Sequence, residues 1–275
     1  MSVTVSAPGK INLFFSVGGL RPDGFHEVVS VYHALDFREQ ITVDFANETS
    51  VEVSGITEGV PIDESNLAIR AVRLVTNEPI SMKIHKEVPV AGGMGGGSAD
   101  AAAALVAVAR LVGAELDSSL AAKLGSDVPF AVLGGTALGT SRGELLEPIA
   151  CAKQLNWVLV PAKFGLSTPV VYRTLDELRP LANLADPALL IEALRNGDIE
   201  AVAKNMRNDL EQAALHLAPE LQKTLDALTS AGALRSMVSG SGPTVLALAK
   251  DKADAERIAS EVGGIATSGP AEGAI

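Results

Sequence analysis

The stretch PVAGGMGGGSADAAAALVAVARLVG, residues 89–113, decides how this chain is read. Five glycines (Gly92, Gly93, Gly95, Gly96 and Gly97) fall between Ala91 and Ser98, and then glycine gives way to alanine and aliphatic residues with helical character. Consecutive glycines leave backbone N–H groups uncovered and free to take positive φ. Directly ahead of a helix, those groups and the helix dipole form an anion site. Ser98 stands where it can cap the helix, or offer its hydroxyl to phosphate or to a metal ion. The competing reading is a flexible hinge with Ser98 as a plain cap. The order strand, glycine loop, alanine-rich helix favours phosphate.

Three familiar loop patterns fail on this segment. A Walker loop needs G-K-[ST] at the helix start, and GGS has no lysine. The dinucleotide pattern G-x-G-x-x-G meets Ser98 from Gly93 and Asp100 from Gly95. The nucleophile elbow G-x-S-x-G ends in Asp100. Asp100 would repel phosphate if it faced the loop, so it is expected to point away and serve the helix dipole.

Outward from the loop, SMKIHKEV alternates and reads as the strand leading in. VTVSA and INLFFSV read as two strands split at Pro8–Gly9, and EVVSVYHALDF and QITVDF as two more. ESNLAIRAVRLVTNE carries helical spacing, and SSLAAKLGSDVPFAVLGG reads as two helices broken at Gly125–Ser126–Asp127. After about residue 152 the pattern changes. A strand (LNWVLVPA) is followed by several helices, then SMVSGSGPTVLALA, then the helix DKADAERIASEV, which suggests an α+β sandwich.

Size and composition set limits. The chain has 275 residues, 47% of them hydrophobic, enough for one large core or two ordinary ones. A formal net charge of −11 argues against a nucleic-acid or anionic-membrane partner, though not against one anionic small molecule in a locally basic pocket. One cysteine, Cys151, allows no internal disulfide and suits a cytoplasmic location. The N-terminal residues read as strand rather than signal peptide, and no apolar run approaches a membrane span. His33, His85 and His216 show no metal-ligand spacing.

PVAGGMGGGSADAA resembles the P-x-x-x-G-L-G-S-S-A-A loop of the GHMP small-molecule kinases. SAPGKINLFFSVGGLRPDGFHEV resembles that family's N-terminal motif, and MVSGSGPTVLAL its C-terminal glycine motif. The three occur in the family's order across nearly the whole chain. PGKINL with RPDGFHE, and LGSDVPFAVLGGTALGTSRGE, are similar to the branch that phosphorylates a cytidine diphosphate-linked methylerythritol in the non-mevalonate isoprenoid route. Another branch, of homoserine or mevalonate type, and a catalytically silent regulator on the same fold are the alternatives.

The resemblance implies a two-domain α+β fold. Residues 1–152 would form a ribosomal-S5-domain-2-like, ATP-binding domain, and residues 153–275 a ferredoxin-like α/β sandwich, with the active site in the cleft between. It implies ATP as co-substrate, Mg²⁺ as metal, a small-molecule acceptor, and a monomer or weak homodimer. Taken alone, Lys10 is a solvent-facing lysine at a strand start and Asp127 a helix cap. The resemblance makes them the catalytic pair. It puts Asn66, Lys86 and Pro89 with the glycine loop on the ATP side, and Ser98 against phosphate or metal. It puts Asn12, Phe25, His26, Thr168, Tyr172, Gly240 and Ser241 on the acceptor side, with Phe25 and Tyr172 sandwiching the cytosine and His26 at its edge. Two positions depart from the family pattern: Phe25 replaces a tyrosine, and Ala99 a second serine.

Overall fold

The computed structural model describes residues 2–89, 92–116, 119–179 and 183–275. Two long strands, β1 (Val3–Leu20) and β2 (His26–Phe45), pair antiparallel and form its spine. The Pro8–Gly9 break expected to separate two strands does not end β1. The strand passes through it with register shifts between Pro8 and Lys10 and again between Asn12 and Phe14. Irregularities of this kind bend a strand and re-aim its side chains. Between the two shifts, Lys10 and Asn12 face the cleft while Ile11 turns into the core, as the two-residue period requires. β2 likewise runs unbroken where two strands were expected.

The first sheet is completed by β3 (Ser50–Gly55), β4 (Ile80–Lys86), β5 (Thr136–Thr140), β6 (Leu145–Pro148) and the two-residue β8 (Arg207–Asn208), which pairs parallel with Phe14 and Phe15 of β1. Helices α1 (Leu67–Val75), α2 (Gly96–Val112), α3 (Ser119–Leu124) and α4 (Val128–Leu133) pack on one face of this sheet. The alanines of α2 explain its place. From Ala99 to Ala109 every residue is buried, and small side chains let the helix lie close to β1, β2 and its neighbours.

The second sheet runs β11 (Ile265–Gly269), β7 (Leu155–Val160), β10 (Val245–Ala249), β9 (Arg235–Val238), antiparallel throughout. Alternation gives it two buried faces. Val158, Val245, Ala247 and Ala249 meet α8 (Glu211–Leu217), α9 (Leu221–Ser230) and α10 (Lys252–Val262). Leu155, Trp157, Leu159, Leu246 and Leu248 meet Ile11, Leu13, Val31 and Leu35 of the first sheet, with α6 (Ala188–Asn196) and α7 (Ile199–Asn205) closing the side. In this seam Trp157 is fully buried, its ring centroid 5.6 Å from that of His33 in an edge-on arrangement. The remaining helix, α5 (Thr168–Leu178), flanks the cleft. The chain's end returns to the first sheet, where Ser6 and Ile275 exchange both backbone hydrogen bonds and Arg38 donates to the carbonyls of Glu272 and Gly273.

Candidate active site

A cleft of about 810 Å³ opens between the two sheets. Of the residues expected at the site, Lys10, Asn12, Phe25, His26, Pro89, the five loop glycines, Ser98, Asp127, Thr168, Tyr172, Gly240 and Ser241 all line it. Asn66 and Lys86 do not.

The glycine loop supplies one wall. Helix α2 begins at Gly96, ahead of the expected cap Ser98, with Gly95 at its N-cap in the left-handed conformation (φ 70°). Ser98 is therefore the third residue of the helix and not its cap. Ala99 N–H donates to the Gly95 carbonyl, so the N–H groups of Gly96, Gly97 and Ser98 have no partner within the helix and stand at the cleft. Gly93 (φ 75°) shows why the loop is bare: a Cβ there would lie 2.4 Å from the Ser239 carbonyl oxygen and 3.0 Å from that of Gly242. The glycine segments of the two halves thus touch backbone to backbone. Val90 and Ala91 lie outside the described residues.

The charged pair sits against this wall. Lys10 Nζ donates to Asn12 Oδ1 (2.8 Å) and the Gly93 carbonyl (3.0 Å), and lies 3.6 Å from Asp127 Oδ2. Asn12, itself oriented by its bond to Ser30 Oγ (2.8 Å), aims the ammonium. Asp127 occupies the N-cap position of α4 but makes no capping hydrogen bond, which leaves its carboxylate to the cleft. Tyr32, opposite Asn12 on β2, closes the floor, and burial with the nearby Asp127 charge keeps its phenol protonated.

The opposite end is aromatic. His26 and Tyr172 stack with centroids 5.0 Å apart, and His26 Nε2 lies 3.0 Å from Asp176 Oδ1. The ring stacked on Tyr172 is thus His26. Phe25 is 50% exposed at the mouth, with the Arg142 guanidinium 4.9 Å from its centroid. Burial and the Asp127 charge also raise the Tyr172 phenol above its ordinary range. Thr168 Oγ1, at the head of α5, and Ser241 Oγ, just after β9, meet at 2.9 Å.

Two expected ATP-side residues are placed otherwise. Asn66 caps α1, accepting from Ala68 N–H and donating to the Pro61 carbonyl. Lys86 is 2% exposed, and its ammonium is enclosed by Glu39 Oε1 (2.5 Å) and Asp100 Oδ2 (2.6 Å). Asp100 does point away from the loop, but into this ion cluster rather than along the helix dipole. Two carboxylates share one ammonium out of water, and burial raises Glu39 to about 7.

Tyr32, Arg142, Arg173 and Asp176 also line the cleft without having been expected there. Asp176 was signalled: Thr168, Tyr172 and Asp176 recur every four residues on α5 and share one face. Tyr32 carried no local signal beyond alternation in EVVSVYHAL.

Family comparison agrees with this geometry. The GHMP kinases N terminal domain matches residues 66–135, and GHMP kinases C terminal matches residues 190–265. A 4-diphosphocytidyl-2-C-methyl-D-erythritol kinase of Nocardia farcinica (strain IFM 10152) is 46% identical, over 99% of this chain and 95% of that protein. One of Paenarthrobacter aurescens (strain TC1) is 43% identical over the same shares. This chain belongs to that family of GHMP kinases. A crystal structure of 4-(cytidine 5'-diphospho)-2C-methyl-D-erythritol kinase superposes with a TM-score of 0.81 at 31% identity, covering 98% of this chain and all of that one. As a GHMP kinase the chain is an ATP-dependent small-molecule kinase, and its fold is the two-part α+β fold the motifs implied. Among the described residues, no helix is long and apolar enough to cross a membrane.

Proposed function

We propose that this kinase transfers the γ-phosphoryl group of ATP to the 2-hydroxyl of 4-diphosphocytidyl-2-C-methyl-D-erythritol, giving the 2-phosphate and ADP. The observation that carries the reading is the Lys10–Asp127 pair, 3.6 Å apart and set against a bare helix N-terminus. A tertiary alcohol is a poor nucleophile at neutral pH. Asp127 accepts its proton as the oxygen attacks the γ-phosphorus and the bond to the departing ADP oxygen breaks. Lys10 steadies that carboxylate and the charge on the phosphoryl oxygens. The N–H groups of Gly96, Gly97 and Ser98 hold the ATP phosphates.

Magnesium fits the donor set in a limited way. Among the described residues no group of three or more His, Cys, Asp or Glu could hold a metal. The cleft offers the Ser98 hydroxyl and the Asp127 carboxylate. That suits an ion arriving on ATP, which keeps several waters and takes one or two protein ligands. Bound there, Mg²⁺ would neutralise phosphate charge.

Acceptor recognition is assigned to the aromatic end: Tyr172 offers a ring face to cytosine, His26 its edge, and Phe25 a second ring at the mouth. Residues 1–152 and 153–275 are proposed as the two domains, a division supported by the sheets, apart from β8 and the last residues, which return to the first half. A monomer or weak homodimer acting in the cytoplasm is in keeping with the net charge and the lone cysteine. Neither a homoserine- or mevalonate-type kinase nor a silent regulator is favoured by the relatives' names.

The test is ADP release measured with the cytidine diphosphate substrate beside homoserine, mevalonate and galactose, with the product's new phosphate located by ³¹P NMR. Turnover confined to the first substrate is expected. Faster turnover of any other acceptor overturns the assignment.

A further inference from the structure

The glycine loop has a neck, and the neck is closed by ions that never reach the cleft. The loop leaves β4 at Lys86 and enters α2 at Gly96. Lys86 is the residue before it, and Asp100 lies in the opening turns of the helix after it. Their side chains meet at 2.6 Å. Glu39, on the neighbouring β2, fastens both feet. Its Oε1 lies 2.5 Å from Lys86 Nζ, and its Oε2 accepts the first amide of the loop, Glu87 N–H, at 2.8 Å. A Cβ on Gly96 would lie 3.1 Å from Glu39 Oε1, so the first residue of the helix packs directly on that carboxylate. All three side chains are buried, at 5% exposure or less, and none lines the cleft.

We propose that Glu39, Lys86 and Asp100 form a clasp that sets the spacing between the end of β4 and the start of α2, and so positions the loop's N–H groups for the phosphates of ATP. These are positioning residues: they act through the loop and touch no substrate. The inference rests on the reading of that loop as the ATP site. A buried ion pair is a weak source of net stability, since desolvation offsets most of its attraction. A nonpolar cluster would hold two elements together as well. What the ions add is direction, because each bond fixes one donor on one acceptor. That property suits a segment of glycines with few side chains of its own to fix it.

Asp100→Ala separates this role from general stability. It cuts the tie across the neck yet leaves Glu39 and Lys86 as a balanced pair. The expected result is a folded enzyme whose KM for ATP rises about tenfold, the scale of a small misplacement of binding groups, while KM for the acceptor stays within twofold. Asp100→Asn, whose amide oxygen can still accept from Lys86, restores most of the ATP affinity. An unchanged KM for ATP in a folded Asp100→Ala overturns the clasp. So does an equal rise in both KM values, or the absence of rescue by Asn. Should the alanine variant not fold, Asp100→Ser, polar but too short to span to Lys86, carries the same comparison against Asp100→Asn with the same outcomes. Direct titration of ATP without acceptor keeps the two readings apart. A wild-type chain that binds no ATP defeats the loop assignment, whereas a wild-type chain that binds ATP no better than the alanine variant defeats only the clasp.

Discussion

Lys10 Nζ lies 3.6 Å from Asp127 Oδ2, although one residue comes from a strand near the start of the chain and the other from the head of a short helix far along it. Neither is spent on structure. Lys10 is aimed by Asn12 and the Gly93 carbonyl, and Asp127 declines its helix cap. Asp127→Asn and Lys10→Ala are each expected to fold normally and to lower kcat by about 10²–10⁴, the scale of a lost general base or electrostatic group. Circular dichroism beside turnover checks both. Near-normal kcat in a folded variant removes that residue from the chemistry.

The contact between the two glycine loops makes Gly93 intolerant of any side chain. Gly93→Ala places a Cβ 2.4 Å from the Ser239 carbonyl in a backbone conformation that L residues avoid. A loss of about 2–4 kcal/mol is expected from overpacking and strain together, with weakened ATP binding. Gly19→Ala is the control: nothing lies within 4 Å of its new methyl, and its melting temperature should match the parent's. Equal melting temperatures for both variants would contradict the closeness of the loops.

At the acceptor end, Tyr172→Ala removes a ring face worth roughly 1–3 kcal/mol by analogy with base–aromatic stacking. The loss is expected in KM for the cytidine substrate, with kcat and KM for ATP little changed, because a remote base is held alike in ground and transition states. Phe25→Tyr is expected to be nearly neutral, since the ring is half exposed and no buried group waits for a hydroxyl. A Tyr172→Ala enzyme that loses ATP and keeps the acceptor would mean that the two pockets are exchanged.

Acid should act on the seam through His33. Burial lowers its pKa to about 3, far under the ordinary 6.5. The unfolded chain therefore takes up a proton at pH values where the folded one does not. Stability from this group is full above pH 6.5 and falls as pH drops toward 3. His33→Asn, which can still bond to Thr136, is expected to lose less melting temperature between pH 7 and pH 4.5 than the parent. The same slope in both proteins would remove His33 from acid sensitivity.

The glycine loop, the helix after it and Asp127 at the Gly125–Ser126–Asp127 break were legible because each depends on a few adjacent residues. So was most of the second half, where helical spacing and strand alternation are clean. What stayed hidden was set by pairing partners. β1 crosses Pro8–Gly9 because β2 continues to pair with it on both sides, and β8 is strand only because Phe14 and Phe15 lie beside it. Lys86 looked available to a nucleotide, since no sequence spacing announces that Glu39 and Asp100 will enclose it. The stack of His26 on Tyr172 was hidden for a similar reason: in GFHE, only the placement of α5 decides which ring turns inward.

Trp157 is the only tryptophan in the chain, and it is buried where the two sheets meet with the His33 ring at its edge. The tryptophan fluorescence of this protein therefore comes from one point, and that point is the joint between its halves. Parting of the sheets will appear as a red shift of a single emission band. Protonation of the adjoining imidazole will appear as quenching without a shift. One cuvette can thus distinguish separation of the halves from protonation of His33 within the folded seam, with no label attached.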